Sequence, residues 1–294
     1  MIVITGANGQ LGRHVIHNLL ASLPARDIVG AVRGPEKAAD LAELGVQVRH
    51  GDYEKPETWP AVLDGATQVL LISAPEPLGR RAELHRAVID AARASSTVRR
   101  LFYTGVLGGD AASFRLADDH KATERILRES GLEYTVLRNG WYTDMYAGQL
   151  GHAVGSGSIV GSASPTARIA SATRAEYAGA AAAALLVDGP HPEYYELSGD
   201  TAWSLAELAE EFSRQTDTRI AYQQVSPEQH RAGLLQAGLP ELLVDILVDV
   251  DAAIDRGELA RQDGSLSKLI GHPTAPLADA VATAVAELKA NSPS

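Results

Sequence analysis

The residue types best suited to chemistry come at the start of the chain. A short β-branched run, Ile2 to Thr5, leads into Gly6-Ala7-Asn8-Gly9-Gln10-Leu11-Gly12, a G-x-x-G-x-x-G turn that opens into a stretch with helical periodicity. Glycines let a backbone turn sharply and approach an anionic group, whose charge then meets backbone N–H groups and the positive end of a helix dipole. Between a strand and a helix, this spacing is a dinucleotide-binding fingerprint; in isolation it is equally a plain turn. About twenty residues further on, a site that prefers NAD places a carboxylate at the end of its second strand to accept from the ribose hydroxyls. Here the second strand ends Gly30-Ala31-Val32-Arg33. An arginine fork suits a 2′-phosphate, so the expected cofactor is NADPH, with NADH bound more weakly; the bland alternative is a solvated arginine after a strand.

Absences narrow the chemistry further. The chain has no cysteine, which removes disulfides, thiolate nucleophiles and cysteine-bound metals together. Its five lysines are Lys37, Lys55, Lys121, Lys268 and Lys289, and none follows a glycine, so no Walker A loop is present. None has a tyrosine four positions earlier, so the Tyr-x-x-x-Lys pair with which many short-chain dehydrogenases activate an alcohol is missing. A G-x-S-x-G elbow and a His-Glu dipeptide are also lacking, which leaves the familiar hydrolases unsupported. A reaction needing little acid–base help from protein fits better, and hydride transfer to a quinone is one: the product phenolate takes its proton from a tyrosine, an imidazole or solvent.

Several elements must position these groups. Up to about residue 138, β-branched runs alternate with helical patterns, as in a parallel sheet covered on both faces. The strands read as Ile2 to Thr5, Ile28 to Val32, Val46 to Arg49, Gln68 to Ile72, Leu101 to Thr104 and Tyr134 to Leu137. The expected class is therefore α/β, a Rossmann-type doubly wound parallel sheet over residues 1–150, with a smaller α+β, substrate-binding C-terminal subdomain over 151–294, interleaved with the first at the cleft. The Gly/Ser-rich stretch after Asn139, an alanine-rich helix from Arg174, and a strand at Tyr194 to Leu197 are read into the second part. Within it, Glu241, Asp245, Asp249, Asp251, Asp255 and Glu258 suggest a solvated acidic helix face opposite Leu243, Ile246, Leu247, Val250 and Ile254, rather than a metal site.

With 294 residues, 45% of them hydrophobic, the chain can bury a sizeable core. Its 37 acidic and 26 basic residues leave a formal charge of −11, which opposes direct nucleic-acid binding. No signal-like or membrane-spanning segment is visible, so a cytoplasmic protein, monomer or homodimer, is expected.

Four segments carry a family resemblance: Gly6 to Gly12, Leu137-Arg138-Asn139-Gly140-Trp141-Tyr142, Ile169-Ala170-Ser171-Ala172-Thr173-Arg174, and Leu266-Ser267-Lys268-Leu269-Ile270-Gly271-His272-Pro273. They resemble the NmrA-like atypical short-chain dehydrogenases, most closely the bacterial quinone-reducing members. The resemblance implies an NADPH site at the carboxyl edge of the sheet, and a quinone substrate in the cleft between domains. It implies cofactor contacts at Gly6, Ala7, Asn8, Gly9, Gln10, Leu11 and Arg33, at Ser73, Ala74 and Pro75, and at Asn139, Gly140, Trp141 and Tyr142. Related reductases carry a lysine where His120 stands here, so His120 becomes the candidate proton donor, set after Asp118-Asp119 at a helix start. Tyr142 is the second catalytic candidate, in an aromatic group with Trp141 and Tyr146 suited to a flat quinone.

The expected function is thus an NADPH-preferring reductase passing hydride directly to a quinone or related conjugated carbonyl, without flavin or metal. The same family admits two alternatives: a non-catalytic NADP(H)-sensing regulator, and a reductase of a pathway-specific enone.

Overall fold

The computed structural model describes residues 1–75 and 78–290. The chain divides into two compact units: residues 1–111, 116–139 and 174–197 form the first, and 112–115, 140–173 and 198–294 the second. In chain order the strands are β1 (Ile2–Ile4), β2 (Ile28–Val32), β3 (Gln47–His50), β4 (Gln68–Leu71), β5 (Arg100–Val106), β6 (Glu133–Asn139), β7 (Ser158–Gly161), β8 (Tyr194–Leu197) and β9 (Ala221–Gln224). The helices are α1 (Gln10–Leu20), α2 (Ala39–Glu43), α3 (Trp59–Val62), α4 (Arg81–Ala94), α5 (Leu116–Ser130), α6 (Thr143–Ala147), α7 (Leu150–Ser156), α8 (Arg174–Leu186), α9 (Leu205–Thr216), α10 (Pro227–Gln236), α11 (Glu241–Asp255), α12 (Ser265–Ile270) and α13 (Leu277–Ala290).

The first unit is built on a seven-stranded sheet of order β3-β2-β1-β4-β5-β6-β8, parallel throughout. Because strand side chains alternate between faces, Val3, Val29, Val69, Leu101, Tyr103 and Val136 gather on one side. There they pack with Trp59, Val88, Ile89 and Leu127 of the covering helices. On the other side Ile16 of α1 and Leu41 of α2 both reach Gly30. The buried stripe of α1 is Gly12, Val15, Ile16 and Leu19. Leu11, which periodicity places in that stripe, lines a cavity instead. Burial on both faces explains why these strands read as unbroken apolar runs.

Strand order turns back between β1 and β4: the chain winds outward from β1 through β2 to β3, then in the other direction from β4. That switch point opens a crevice at the carboxyl ends of the strands. The far edge holds a feature that lies outside the sequence reading. Tyr194–Leu197 pairs with β6 in parallel, in register Val136 to Tyr194, so β8 and the alanine-rich α8 before it belong to the first unit. A buried ion cluster secures them. Arg138 of β6 donates to both carboxylate oxygens of Glu124 on α5, at 3.0 and 2.7 Å, and to Glu196 of β8 at 2.8 Å. Its guanidinium also lies over the Tyr194 ring, and the neighbouring carboxylates hold it more firmly protonated despite its burial.

The second unit joins β7 and β9 as a parallel pair, with helices begun by two capping boxes, Ser204 with Glu207 and Ser226 with Gln229. The acidic residues of α11 are only in part a solvated face: Glu241 and Asp255 are exposed, Asp245 and Asp249 half-buried and Asp251 buried. Asp249 accepts the Arg115 N–H and Asp245 pairs with Arg115 and Arg231. Asp251 accepts both the N–H and the hydroxyl of Ser162, and Asp255 accepts the Ser164 N–H. Loop N–H groups without a secondary-structure partner need acceptors, and these carboxylates supply them; on the same helix Leu242 and Leu243 stay exposed. No helix among the described residues is long and apolar enough to cross a membrane.

Candidate functional site

The glycine turn follows β1 directly. Gly6 adopts φ +58°, a left-handed conformation that other residues occupy at a cost. At Gly12 a Cβ would lie 2.6 Å from the Gly6 carbonyl oxygen, so only glycine lets α1 start this close to the turn. The N-cap, Gly9, has no side chain to bond the first N–H groups of α1, which leaves that helix end able to receive an anion.

Around this turn lies a cavity of about 340 Å³, wholly within the first unit. Gly6, Asn8, Gly9, Gln10, Leu11, Arg33, Ser73 and Pro75 line it, each of them expected from the sequence. Ala7 and Ala74, also expected, are buried and do not line it, the Ala7 N–H bonding the Ala31 carbonyl. Seven further lining residues were not expected as site residues: Gly12, Ala31, Gly51, Asp52, Tyr53, Ile72 and Arg174. Gly51 to Tyr53 follow the carboxyl end of β3, so strand position alone pointed to them. Arg174 had a signal too, as the last residue of a segment that carries the family resemblance.

Among the described residues of the first unit, four buried side-chain atoms have no hydrogen-bond partner: Ser73 Oγ, Asn139 Oδ1, Trp59 Nε1 and His191 Nδ1. Asn139 ends β6, where it is buried and its carbonyl takes the Leu107 N–H. Buried polar atoms left unpaired are costly unless a ligand or water meets them. The glycine cradle and the open helix end at this cavity fit a dinucleotide.

Behind the Ser73 turn runs a polar network that sequence reading did not find. The Ala74 N–H donates to His85 Nε2 at 2.9 Å, which leaves His85 Nδ1 to donate to Thr123 Oγ1 at 2.8 Å, and Thr123 donates in turn to the Asp119 carbonyl. The Ser73 N–H donates to Thr104 at 2.8 Å. His120 is not at a solvated helix start: it is the fifth residue of α5, buried, with its Nδ1 2.7 Å from the hydroxyl of the fully buried Tyr103. Burial, followed by the nearby Arg81 charge, lowers its pKa to about 3. Burial likewise takes His85 to about 3, with His120 and Arg81 adding to the shift. Both imidazoles are neutral near pH 7, and burial pushes the Tyr103 hydroxyl above its usual range.

The remaining expected residues lie in the second unit. Gly140 leads to Trp141 and Tyr142, which are half-buried; Tyr142 forms a bridge with Ala172, whose N–H donates to the Trp141 carbonyl. Tyr146 is core rather than a free aromatic wall. It stands edge-on to Trp203 at 5.0 Å, and Trp203 donates to Ser171 Oγ, which also bonds Thr143.

A sheet of this order with a glycine cradle at its switch point defines a nucleotide-binding α/β protein. The model of a family described as NAD(P)H-binding matches residues 6–182. Quinone oxidoreductase 2 of Escherichia coli strain K12 is 44% identical over 281 residues, spanning 96% of this chain and 97% of that one. The solved structure of the E. coli NADPH-dependent quinone oxidoreductase complexed with NADPH superposes with a TM-score of 0.93, covering 96% and 99% of the two chains. Triphenylmethane reductase of Citrobacter sp., complexed with NADP(H), is 37% identical with a TM-score of 0.91, covering 97% and 100%. The chain belongs to the NAD(P)H-binding, NmrA-like family.

Proposed function

We propose that this protein is an NADPH-preferring reductase that passes hydride directly to a quinone or related conjugated carbonyl, with neither flavin nor metal. One observation carries the reading: the cavity at the switch point places Arg33 beside a glycine cradle, in a chain 44% identical to a quinone oxidoreductase along nearly its full length. Arg33 takes the 2′-phosphate, and Gly6 to Leu11 hold the phosphates. Ser73 to Pro75 and Asn139 to Tyr142 contact the nicotinamide half, Asn139 through its unpaired Oδ1.

When bound, the reduced nicotinamide supplies the hydride, leaving a phenolate that needs one proton. Tyr142 donates that proton and solvent restores it. His120 acts as a neutral partner that orients the Tyr103 hydroxyl, because an imidazole with a pKa of about 3 carries no positive charge at working pH. No lysine is needed, since a quinone accepts hydride without prior protonation.

NADPH consumption with a panel of small quinones, enones and a cationic triphenylmethane dye tests the assignment. Turnover on quinones is expected. Tight cofactor binding without turnover on any acceptor would make the protein a sensor, and turnover on enones alone would make it an enone reductase. Replacing Arg33 with Ala is expected to raise KM for NADPH about tenfold or more while leaving KM for NADH nearly unchanged; equal effects on both would remove Arg33 from 2′-phosphate recognition. Tyr142→Phe is expected to lower kcat on quinones, and unchanged turnover would take it out of the mechanism.

A further inference from the structure

NADPH carries two separate anionic groups, a 2′-phosphate and a pyrophosphate, and the charged residues lining the cavity are Arg33, Asp52 and Arg174. Arg33 follows β2 and answers the first. Arg174 comes from a different element, as the first residue of α8. α8 packs against α1, and its buried residues are mostly small, among them Ala178, Ala181 and Ala182. Gln10, the first residue of α1, and Arg174 line the same cavity, so both helices begin there. Arg174 is therefore brought to the cavity by helix packing, and not by the loop that carries Arg33. Arg174 is half-buried, so its hydrogen bonds to an anion would be only partly screened by water.

We propose that Arg174 is the pyrophosphate cation of this site, holding the charge that NADPH and NADH share, while Arg33 holds the charge that distinguishes them. The inference rests on the NAD(P)H reading but not on the identity of the hydride acceptor. In a chain of formal charge −11, it divides cofactor recognition between two local cations on different elements. Arg33 sets which nucleotide is preferred, and Arg174 sets how tightly either is held.

Calorimetric titration of the whole protein with NADPH, NADH, ADP and 2′-AMP separates the two roles without any turnover. Arg174→Ala is expected to weaken NADPH, NADH and ADP by a common factor of about tenfold or more, and to leave 2′-AMP within about twofold. Arg33→Ala should show the complementary pattern, weakening NADPH and 2′-AMP while sparing NADH and ADP. Arg174→Lys should recover much of the loss, because the charge is kept. If truncation unfolds α8, Arg174→Gln, which keeps an uncharged polar side chain of similar reach at the helix start, gives the same comparison. Arg174 variants that bind NADH and ADP like the wild type overturn the proposal, as does a loss confined to NADPH and 2′-AMP. Wild-type protein that binds neither NADH nor ADP overturns it as well. Failure of every quinone to be reduced would sink the proposed function and leave these binding results standing.

Discussion

His85 receives the Ala74 N–H on one ring nitrogen and bonds Thr123 with the other, so a second ring proton would face a donor and break the first bond. His120 is as deeply buried, and both hold a folded pKa of about 3 against 6.5 when exposed. The sign follows from linkage: below pH 6.5 the unfolded chain takes up protons that the folded protein refuses. Stability is therefore complete above pH 6.5 and is lost as pH falls from 6.5 toward 3, by up to about 1.4 kcal/mol per pH unit for each histidine. Chemical denaturation across that range should show His120→Gln with a shallower acid slope than the wild type. Identical slopes for the wild type and for separate substitutions at His85 and His120 would rule this out. The place of Arg33 at the cavity was legible in the sequence, because it depends only on where one strand ends. The burial of His120 was not: Asp118-Asp119 reads as a solvated helix start, yet the Asp119 carboxylate turns inward to accept the Gly79 N–H at 2.8 Å.

Elements sort in the same way by how far apart their partners lie in sequence. β1, the glycine turn and α1 follow one another directly, and their pattern sufficed to place the cradle. β8 is four residues long, and its place beside β6 depends on a register between segments far apart in the chain. Neither composition nor periodicity encodes that pairing. The same holds for α11, whose repeat of acidic residues looks amphipathic locally, although its carboxylates meet the loops at Arg115, Ser162 and Ser164. The Arg138 cluster is what makes the distant pairing specific, because it ties α5, β6 and β8 through one guanidinium. Arg138→Met would strand the buried Glu124 carboxylate and is expected to cost about 3–5 kcal/mol in denaturant unfolding. The double variant Arg138→Met with Glu124→Leu should recover a large part of that loss, since the deeply buried carboxylate is gone and Glu196, partly exposed, keeps the Gly108 N–H. A double variant as unstable as the single one would show that packing, and not the charge, governs this edge.

At the scale of the molecule, the chain passes between its two units five times, near residues 112, 116, 140, 174 and 198. Sequence order suggests a boundary near residue 150, because the alternation of strands and helices stops there. A first unit cut at that point lacks α8 and β8. Without β8 the outer edge of β6 keeps its N–H and C=O groups unpaired, and Arg138 loses Glu196. Without α8 the partner that packs along α1 is gone, together with Arg174. A fragment of residues 1–150 is therefore expected to lack a cooperative thermal transition and fixed near-ultraviolet circular dichroism. Residues 1–197 contain every segment of the first unit, carry 140–173 as an insertion, and should regain both signals. Cooperative melting of the 1–150 fragment would show that the sheet is complete without its last strand. Cofactor binding by 1–197 alone would go further: all the residues lining the cavity lie in the first unit, so that unit should hold the nucleotide even where residues 198–294 are absent.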